Sequence, residues 1–132
     1  MVNTTSKKIL IADDDHTVTL ALRTVLELEG YLVETASDGH EVVRVLQTFW
    51  PHALILDVMM PKENGDQLSR KIKMRLGDVE IKPPKILLIT GKYLNQDPSQ
   101  EERMIRSSLA DAIFYKPFSA KDLVPVVQSL IG

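Results

Sequence analysis

The chain has 132 residues, 44% of them hydrophobic, which suits one domain with a proper core and is too short for two full ones. Its formal charge of −2 gives no electrostatic reason to expect nucleic acid or an anionic membrane surface as partner. The absence of cysteine excludes disulfides and thiolate metal sites and makes a reducing cytoplasm a natural home. No apolar run has the length of a membrane span, and the polar stretch Met1 to Lys8 lacks the apolar core of a secretion signal.

Apolar runs of strand length alternate with stretches of helical period. Ile9 to Ala12 is continuously apolar, as a strand buried on both faces should be. Val18, Leu22, Val25 and Leu26 then recur at helical spacing, with Gly30 as the stop. Tyr31 to Ala36 reads as a second strand. Val42, Leu46 and Phe49 form the inner face of a second helix, closed by Pro51. Ala53 to Leu56 is a third strand ending in Asp57, followed by a loop in which Pro61 and Gly65 read as turn residues.

Leu68, Ile72 and Leu76 line a third helix, stopped by Gly77. Lys85 to Thr90 is a fourth strand. Asp97-Pro98 supplies the cap and first residue of a fourth helix, whose apolar residues are Met104 and Ile105. Ala112 to Tyr115 is a fifth strand. Ser119, with Asp122 three residues on, resembles a capping box for a last helix striped by Leu123, Val127 and Leu130, with Pro125 weakening its first turns. There is no internal repeat, low-complexity tract or linker, so residues 1–132 are read as a single domain with its core at about 7–131.

Five strands, each followed by a helix, imply an α/β fold: a doubly wound parallel sheet with helices on both faces. Ligands in such folds bind beyond the carboxyl ends of the strands. The polar residues that fall there are Asp13, Asp14, Asp57, Thr90 and Lys116. Three converging carboxylates repel one another, and a hard divalent cation relieves that repulsion; Mg²⁺, with Mn²⁺ as a second choice, takes oxygen ligands of this kind. Lys116 can neutralise a phosphate oxygen, and the Thr90 hydroxyl can donate to another. The set fits an aspartate nucleophile that accepts a phosphoryl group. Taken singly, each residue has a plainer role: Asp15 reads as a helix cap, and a strand-end threonine or a solvated lysine is ordinary. His16, His40 and His52 are scattered and show no metal-ligand spacing.

The combination resembles the receiver domains of response regulators over nearly the whole chain, from about Lys7 to Ile131. Ile9 to Asp14 is similar to the family's acidic-pair strand. Leu56-Asp57-Val58-Met59-Met60-Pro61, with Gly65 following, is similar to its phosphorylation segment. Ile89-Thr90-Gly91 and Lys116-Pro117-Phe118 match its switch hydroxyl and its lysine. The resemblance implies a flavodoxin-like sheet of strand order 2-1-3-4-5 with five helices. It makes Asp57 the phosphoacceptor, with Mg²⁺ bound directly by Asp14, through water by Asp13, and by the backbone carbonyl of Met59.

It further implies a cytoplasmic signalling switch rather than an enzyme. The switch would be loaded by a sensor histidine kinase or phosphotransfer protein and read by a downstream protein. Homodimerisation through the face of helix 4, strand 5 and helix 5 is possible in such domains. The chain ends at Gly132, directly after the last helix, without an output domain, which leaves a stand-alone receiver or a piece of a longer protein.

The chain departs from the family's pattern in three places. Ile113 stands three residues before the lysine, where an aromatic switch residue is usual; strand alternation puts Tyr115, not Phe114, on its face. Leu109 stands where a glycine is common. The segment from Thr90 to Lys116 is longer than usual, with the extra length expected in Lys92 to Gln100, and Gly77 to Pro84 is also long. Two other readings compete. Asp13-Asp14-Asp15-His16-Thr17 fits the Asp-x-Asp-x-Thr nucleophile motif of haloacid dehalogenase phosphatases, but leaves the Asp57 segment unexplained. A pseudo-receiver that binds partners without phosphorylation would not need the five polar residues intact.

Overall fold

The computed structural model describes residues 6–74, 82–91 and 97–132. The chain alternates strand and helix throughout: β1 (Lys8–Ala12), α1 (His16–Leu28), β2 (Leu32–Ala36), α2 (Gly39–Leu46), β3 (Ala53–Asp57), α3 (Gly65–Met74), β4 (Lys85–Thr90), α4 (Pro98–Ser108), β5 (Ala112–Tyr115) and α5 (Ala120–Ile131). The five strands form one parallel sheet in the order β2-β1-β3-β4-β5. Among the described residues no helix is long and apolar enough to cross a membrane.

Strand alternation sorts the core into two halves. Leu10, Leu54, Leu56, Ile86 and Leu88 point to one face, where Val42 and Leu46 of α2 and Leu68 and Ile72 of α3 cover them. Ile9, Ile11, Ile55, Leu87 and Ile89 point to the other, under Leu22 and Leu26 of α1 and Leu123 and Val127 of α5. Burial on both faces explains why the strands read as unbroken apolar runs. Fully burying each of these Leu, Ile and Val side chains contributes roughly 1.5–3 kcal/mol.

Helix ends differ from the sequence reading where local hydrogen bonding decides them. Phe49 was expected on the inner face of α2, but that helix ends at Leu46. Gln47 and Thr48 bond back only three residues, to Arg44 and Val45, so the helix tightens and stops before Pro51 restricts the chain. Phe49 still reaches the core from beyond the helix end. The start of α2 is a reciprocal cap: the Glu41 N–H donates to Asp38 Oδ1 at 2.8 Å, and the Ser37 N–H donates to Glu41 Oε1 at 3.1 Å. Asp15 caps α1, accepting from the Thr17 N–H at 2.9 Å. Ser119 and Asp122 pair at the start of α5, and Pro125 lies inside that helix. The expected helix residues Leu76 and Gly77, residues 77–81 of the long segment from Gly77 to Pro84, and residues 92–96 of the segment expected to be extended from Lys92 to Gln100 lie outside the described residues.

Trp50 sits just ahead of β3, at the end of the sheet opposite Asp57. Its indole N–H donates to the Lys82 carbonyl at 2.9 Å.

Leu109 ends α4 with φ of +61°, in the left-handed region that favours glycine, and its N–H bonds to the Ile105 carbonyl at 2.9 Å. The helix therefore stops as a glycine-capped helix would, with leucine carrying the strain. Leu109→Gly should raise stability by about 0.5–1 kcal/mol, because relief of the left-handed strain exceeds the entropy gained by the unfolded chain. A shift of the urea midpoint to higher concentration checks this; an unchanged or lower midpoint would mean that the largely exposed leucine side chain contributes more than its backbone costs.

Candidate functional site at the carboxyl end of the sheet

The sheet's connectivity reverses between β1 and β3. From β1 the chain moves outward to β2; from β3 it moves the other way, through β4 to β5. The crevice at such a reversal is left uncovered by the flanking connections and is where doubly wound folds place their ligands. Asp13 immediately follows β1 and Asp57 ends β3, so the two carboxylates meet at this point. Carboxylate oxygens of Asp13, Asp14 and Asp57 lie within 4.8 Å of one another. Asp13 and Asp57 are buried, at 1% and 3% exposure, whereas Asp14 faces solvent.

Lys116 follows β5 directly and reaches across this cluster. Its ammonium lies 2.8 Å from Asp13 Oδ2 and 3.4 Å from Asp57 Oδ2. The contact with Asp13 Oδ2 is one of charge rather than an aligned hydrogen bond, and that buried oxygen has no hydrogen-bond partner among the described residues. Asp13 Oδ1 accepts the Asp15 N–H at 2.9 Å, and Asp57 Oδ1 accepts the Met59 N–H at 3.1 Å. The Lys116 N–H bonds to the Thr90 carbonyl at 2.8 Å, which ties the end of β5 to the end of β4. Thr90 itself is fully buried.

The loop after Asp57 is fixed by close backbone approach. The Val58 N–H continues the sheet to Ile89, and the Gly65 N–H returns to the Val58 carbonyl at 2.8 Å. A Cβ on Gly65 would lie 2.1 Å from the Asp57 carbonyl oxygen. Gly65, expected as a turn residue, is instead the first residue of α3 and the position where the helix presses against the end of β3. Lys62–Asp38 and Lys71–Glu63 ion pairs brace the same loop.

Three carboxylates against one ammonium leave uncompensated negative charge in a desolvated place. Burial and the neighbouring Asp13 charge push the Asp57 carboxyl up to about 6, although the Met59 N–H and Lys116 act in the opposite direction. Burial opposes the charge on Lys116, but the close carboxylate of Asp13, then that of Asp57, outweighs it and holds the ammonium above its ordinary value. A cluster of carboxylate oxygens, one of them buried against nothing but an ammonium, suits a hard divalent cation. The structure thus gathers Asp13, Asp14, Asp57 and Lys116 in one place, with Thr90 and Met59 flanking them.

The sequence model for the response regulator receiver domain matches residues 9–128. The chain belongs to that family. As a receiver domain it is a signalling switch of two-component systems. It is 33% identical over 126 residues to the response regulator MprA of Mycobacterium ulcerans (strain Agy99), covering 96% of this chain and 50% of that protein. The chain spans about half the length of the curated relatives it matches. Among solved structures it resembles the chemotaxis response regulator CheY4 of Vibrio cholerae, with a TM-score of 0.82, 27% identity, and coverage of 96% of this chain and 99% of that one. It also resembles the signal receiver domain of a signal transduction histidine kinase from Syntrophus aciditrophicus, with a TM-score of 0.79, 31% identity, and coverage of 96% and 90%. These matches agree with the strand order and helix number expected from the sequence.

The receiver's acidic rim has a pH signature. The folded state holds Asp57 above the ordinary carboxylate value of 3.8, so it disfavours the charged form. The contribution of Asp57 to native stability is fully present below 3.8 and is lost as pH rises through about 6. With divalent cations chelated, Asp57→Asn should therefore be more stable than the parent by roughly 2–3 kcal/mol above that window, and no more stable below it. Thermal unfolding of both proteins across this range checks the sign; a gap that narrows with rising pH would refute the electrostatic account.

Proposed function

We propose that Asp57 accepts a phosphoryl group from a sensor histidine kinase or a phosphotransfer protein, and that loading switches the binding of a downstream protein. The observation that carries this reading is the convergence of Asp13, Asp14, Asp57 and Lys116 at one largely buried rim. An Asp57 carboxylate oxygen attacks phosphorus, the bond from phosphorus to the donor's leaving atom breaks, and negative charge spreads over the phosphoryl oxygens. Lys116, already in contact with Asp57, neutralises one of those oxygens. Thr90, at the end of the adjacent strand, donates its hydroxyl to another and so senses the loaded state.

Asp13, Asp14, Asp57 and the backbone carbonyl of Met59 would hold Mg²⁺, or Mn²⁺, which shares its preference for oxygen. When bound, the ion supplies the positive charge that offsets both carboxylate repulsion and the charge of the transferring group. The chain acts as a switch whose only chemistry is its own phosphorylation and dephosphorylation, not as an enzyme turning over a separate substrate. It works in the cytoplasm, and its own contacts are with proteins rather than nucleic acid or membrane. A homodimer through the face of α4, β5 and α5 is one form the output could take.

Treatment with acetyl phosphate and Mg²⁺ should add one phosphoryl group to the parent and none to Asp57→Asn, as read by intact mass. Undiminished labelling of the variant would remove Asp57 as acceptor, whereas no labelling of either protein would leave a partner-binding module without phosphorylation. The position of Trp50 yields a companion expectation. From Ala53 to Asp57 the strand advances about 13 Å, and the indole lies beyond the far end, bonded to Lys82. Mg²⁺ titration should leave Trp50 fluorescence nearly unchanged. A saturable quench that disappears in Asp57→Asn would contradict this geometry.

A further inference from the structure

We propose that a cleft at the amino edge of the sheet, opposite the acidic rim, binds a ring-bearing organic acid whose rings fill the apolar floor and whose carboxylate meets Lys7 and Lys82. The site is separate from Asp57 and does not depend on its role.

The cleft has a volume of about 690 Å³. Small-molecule sites span roughly 300–1,000 Å³. It straddles the start of the strands: Lys7 precedes β1, His52 precedes β3 and Lys85 opens β4. Leu46 and Trp50 line it from one half of the core, Leu130 and Ile131 from the other. Pro51 and Pro83 complete the lining without adding a backbone N–H. These walls are stiff as well as apolar. The Trp50 indole is pinned by its bond to the Lys82 carbonyl at 2.9 Å, and the proline rings have no rotamers to exchange. Stiff walls suit one or two rings better than a long flexible chain, which would lose more entropy on binding.

The mouth of the cleft carries the opposite charge from the rim. Lys7, Lys82 and Lys85 are exposed there. Lys85 lies 4.0 Å from Asp111 Oδ1, but that carboxylate is already engaged by Lys73 and by the Ile86 N–H, each 2.8 Å from Oδ2. Lys7 and Lys82 make no ion pair among the described residues. Helices α2 and α5 end at this edge, and each helix end contributes about half a negative charge, which three ammonium groups exceed. His52 registers the surplus: burial first, then the charges of Lys7, Lys8 and Lys82, hold its imidazole below the ordinary value. Its Nδ1 accepts the Lys8 N–H at 2.9 Å, which assigns the ring proton to Nε2 and makes that nitrogen a donor for an anionic head. An apolar cavity with unpaired cations at its mouth is complementary to an amphiphilic anion. The chain's net charge of −2 argues against the same groups serving a membrane surface, so the acid is taken from solution.

Titration of naphthoate into ¹⁵N-labelled protein tests the site, because the single tryptophan gives one indole N–H resonance and that group stands in the wall. The Trp50 indole signal and the amides of His52 and Lys85 should shift saturably, and calorimetry should show one site. The neutral analogue naphthalenemethanol should bind about tenfold more weakly, the scale of two exposed charge contacts. Lys7→Gln combined with Lys82→Gln, both at exposed side chains and with the fold checked by circular dichroism, should weaken naphthoate about tenfold and leave the alcohol unchanged. Absence of a saturable shift, shifts centred away from the amino edge, equal affinity for acid and alcohol, or parent-like naphthoate binding by the folded double variant would each overturn the proposal. Acetate binding as tightly as naphthoate would reduce the site to a bare anion contact, and co-sedimentation with phosphatidylglycerol vesicles would assign it to a lipid surface; either result defeats the proposal as well.

Discussion

Two buried carboxylates and an exposed one share the carboxyl end of β1 and β3 with a single ammonium, and the rest of the receiver is arranged around that imbalance. Unpaired charge in a desolvated site is expensive, so it persists only where the surrounding fold forces it. Here the forcing comes from the sheet. Apolar strands buried on both faces fix the positions of Ala12 and Leu56, and the chain cannot leave those strands without delivering Asp13 and Asp57 to the same place. The Gly65 contact with the Asp57 backbone locks the loop behind β3, so Asp57 has little freedom to turn away toward solvent.

Lys116 is the counterweight and also the connection to the rest of the molecule. Its ammonium engages Asp13 and Asp57, its backbone is tied to Thr90, and its chain neighbour Tyr115 reaches α4. Any change in charge on Asp57 must therefore be answered by the residue that also sets the end of β5. The helix at the far end of this path has only one buried residue, whereas α1 and α5 enclose the opposite half of the core. The rim thus holds its charges between buried strands, whereas α4 contributes little buried surface.

Much of this was legible from residue order. Ile9 to Ala12, Ala53 to Leu56 and Ile86 to Ile89 announce doubly buried strands because both side-chain faces are apolar, and the strand-end position of Asp13, Asp57, Thr90 and Lys116 follows from them. Alternation alone put Tyr115 on the face of Ile113. Its partner Glu101 was not legible, because that contact joins a strand to a helix across a turn and no local period encodes it. The Asp38–Glu41 cap carries a sequence signature, an acidic cap with glutamate three residues on. Phe49 was misplaced because apolar spacing continues past the point where backbone bonding ends the helix. Leu109 concealed a left-handed residue because leucine rarely adopts that conformation. Gly65 reads as a turn residue because the close approach of α3 to the end of β3 has no sequence mark beyond the glycine itself.

The central claim is that Asp13 and Asp14 belong to a cation site whereas the adjacent Asp15 is a helix cap. Calorimetric titration of Mg²⁺ into folded parent, Asp13→Asn, Asp14→Asn and Asp15→Asn, with folding checked by circular dichroism, tests it directly. The account predicts one saturable site in the parent, retained in Asp15→Asn and lost or severely weakened in the other two. Binding that survives both Asp13→Asn and Asp14→Asn, or that disappears equally in folded Asp15→Asn, would contradict it.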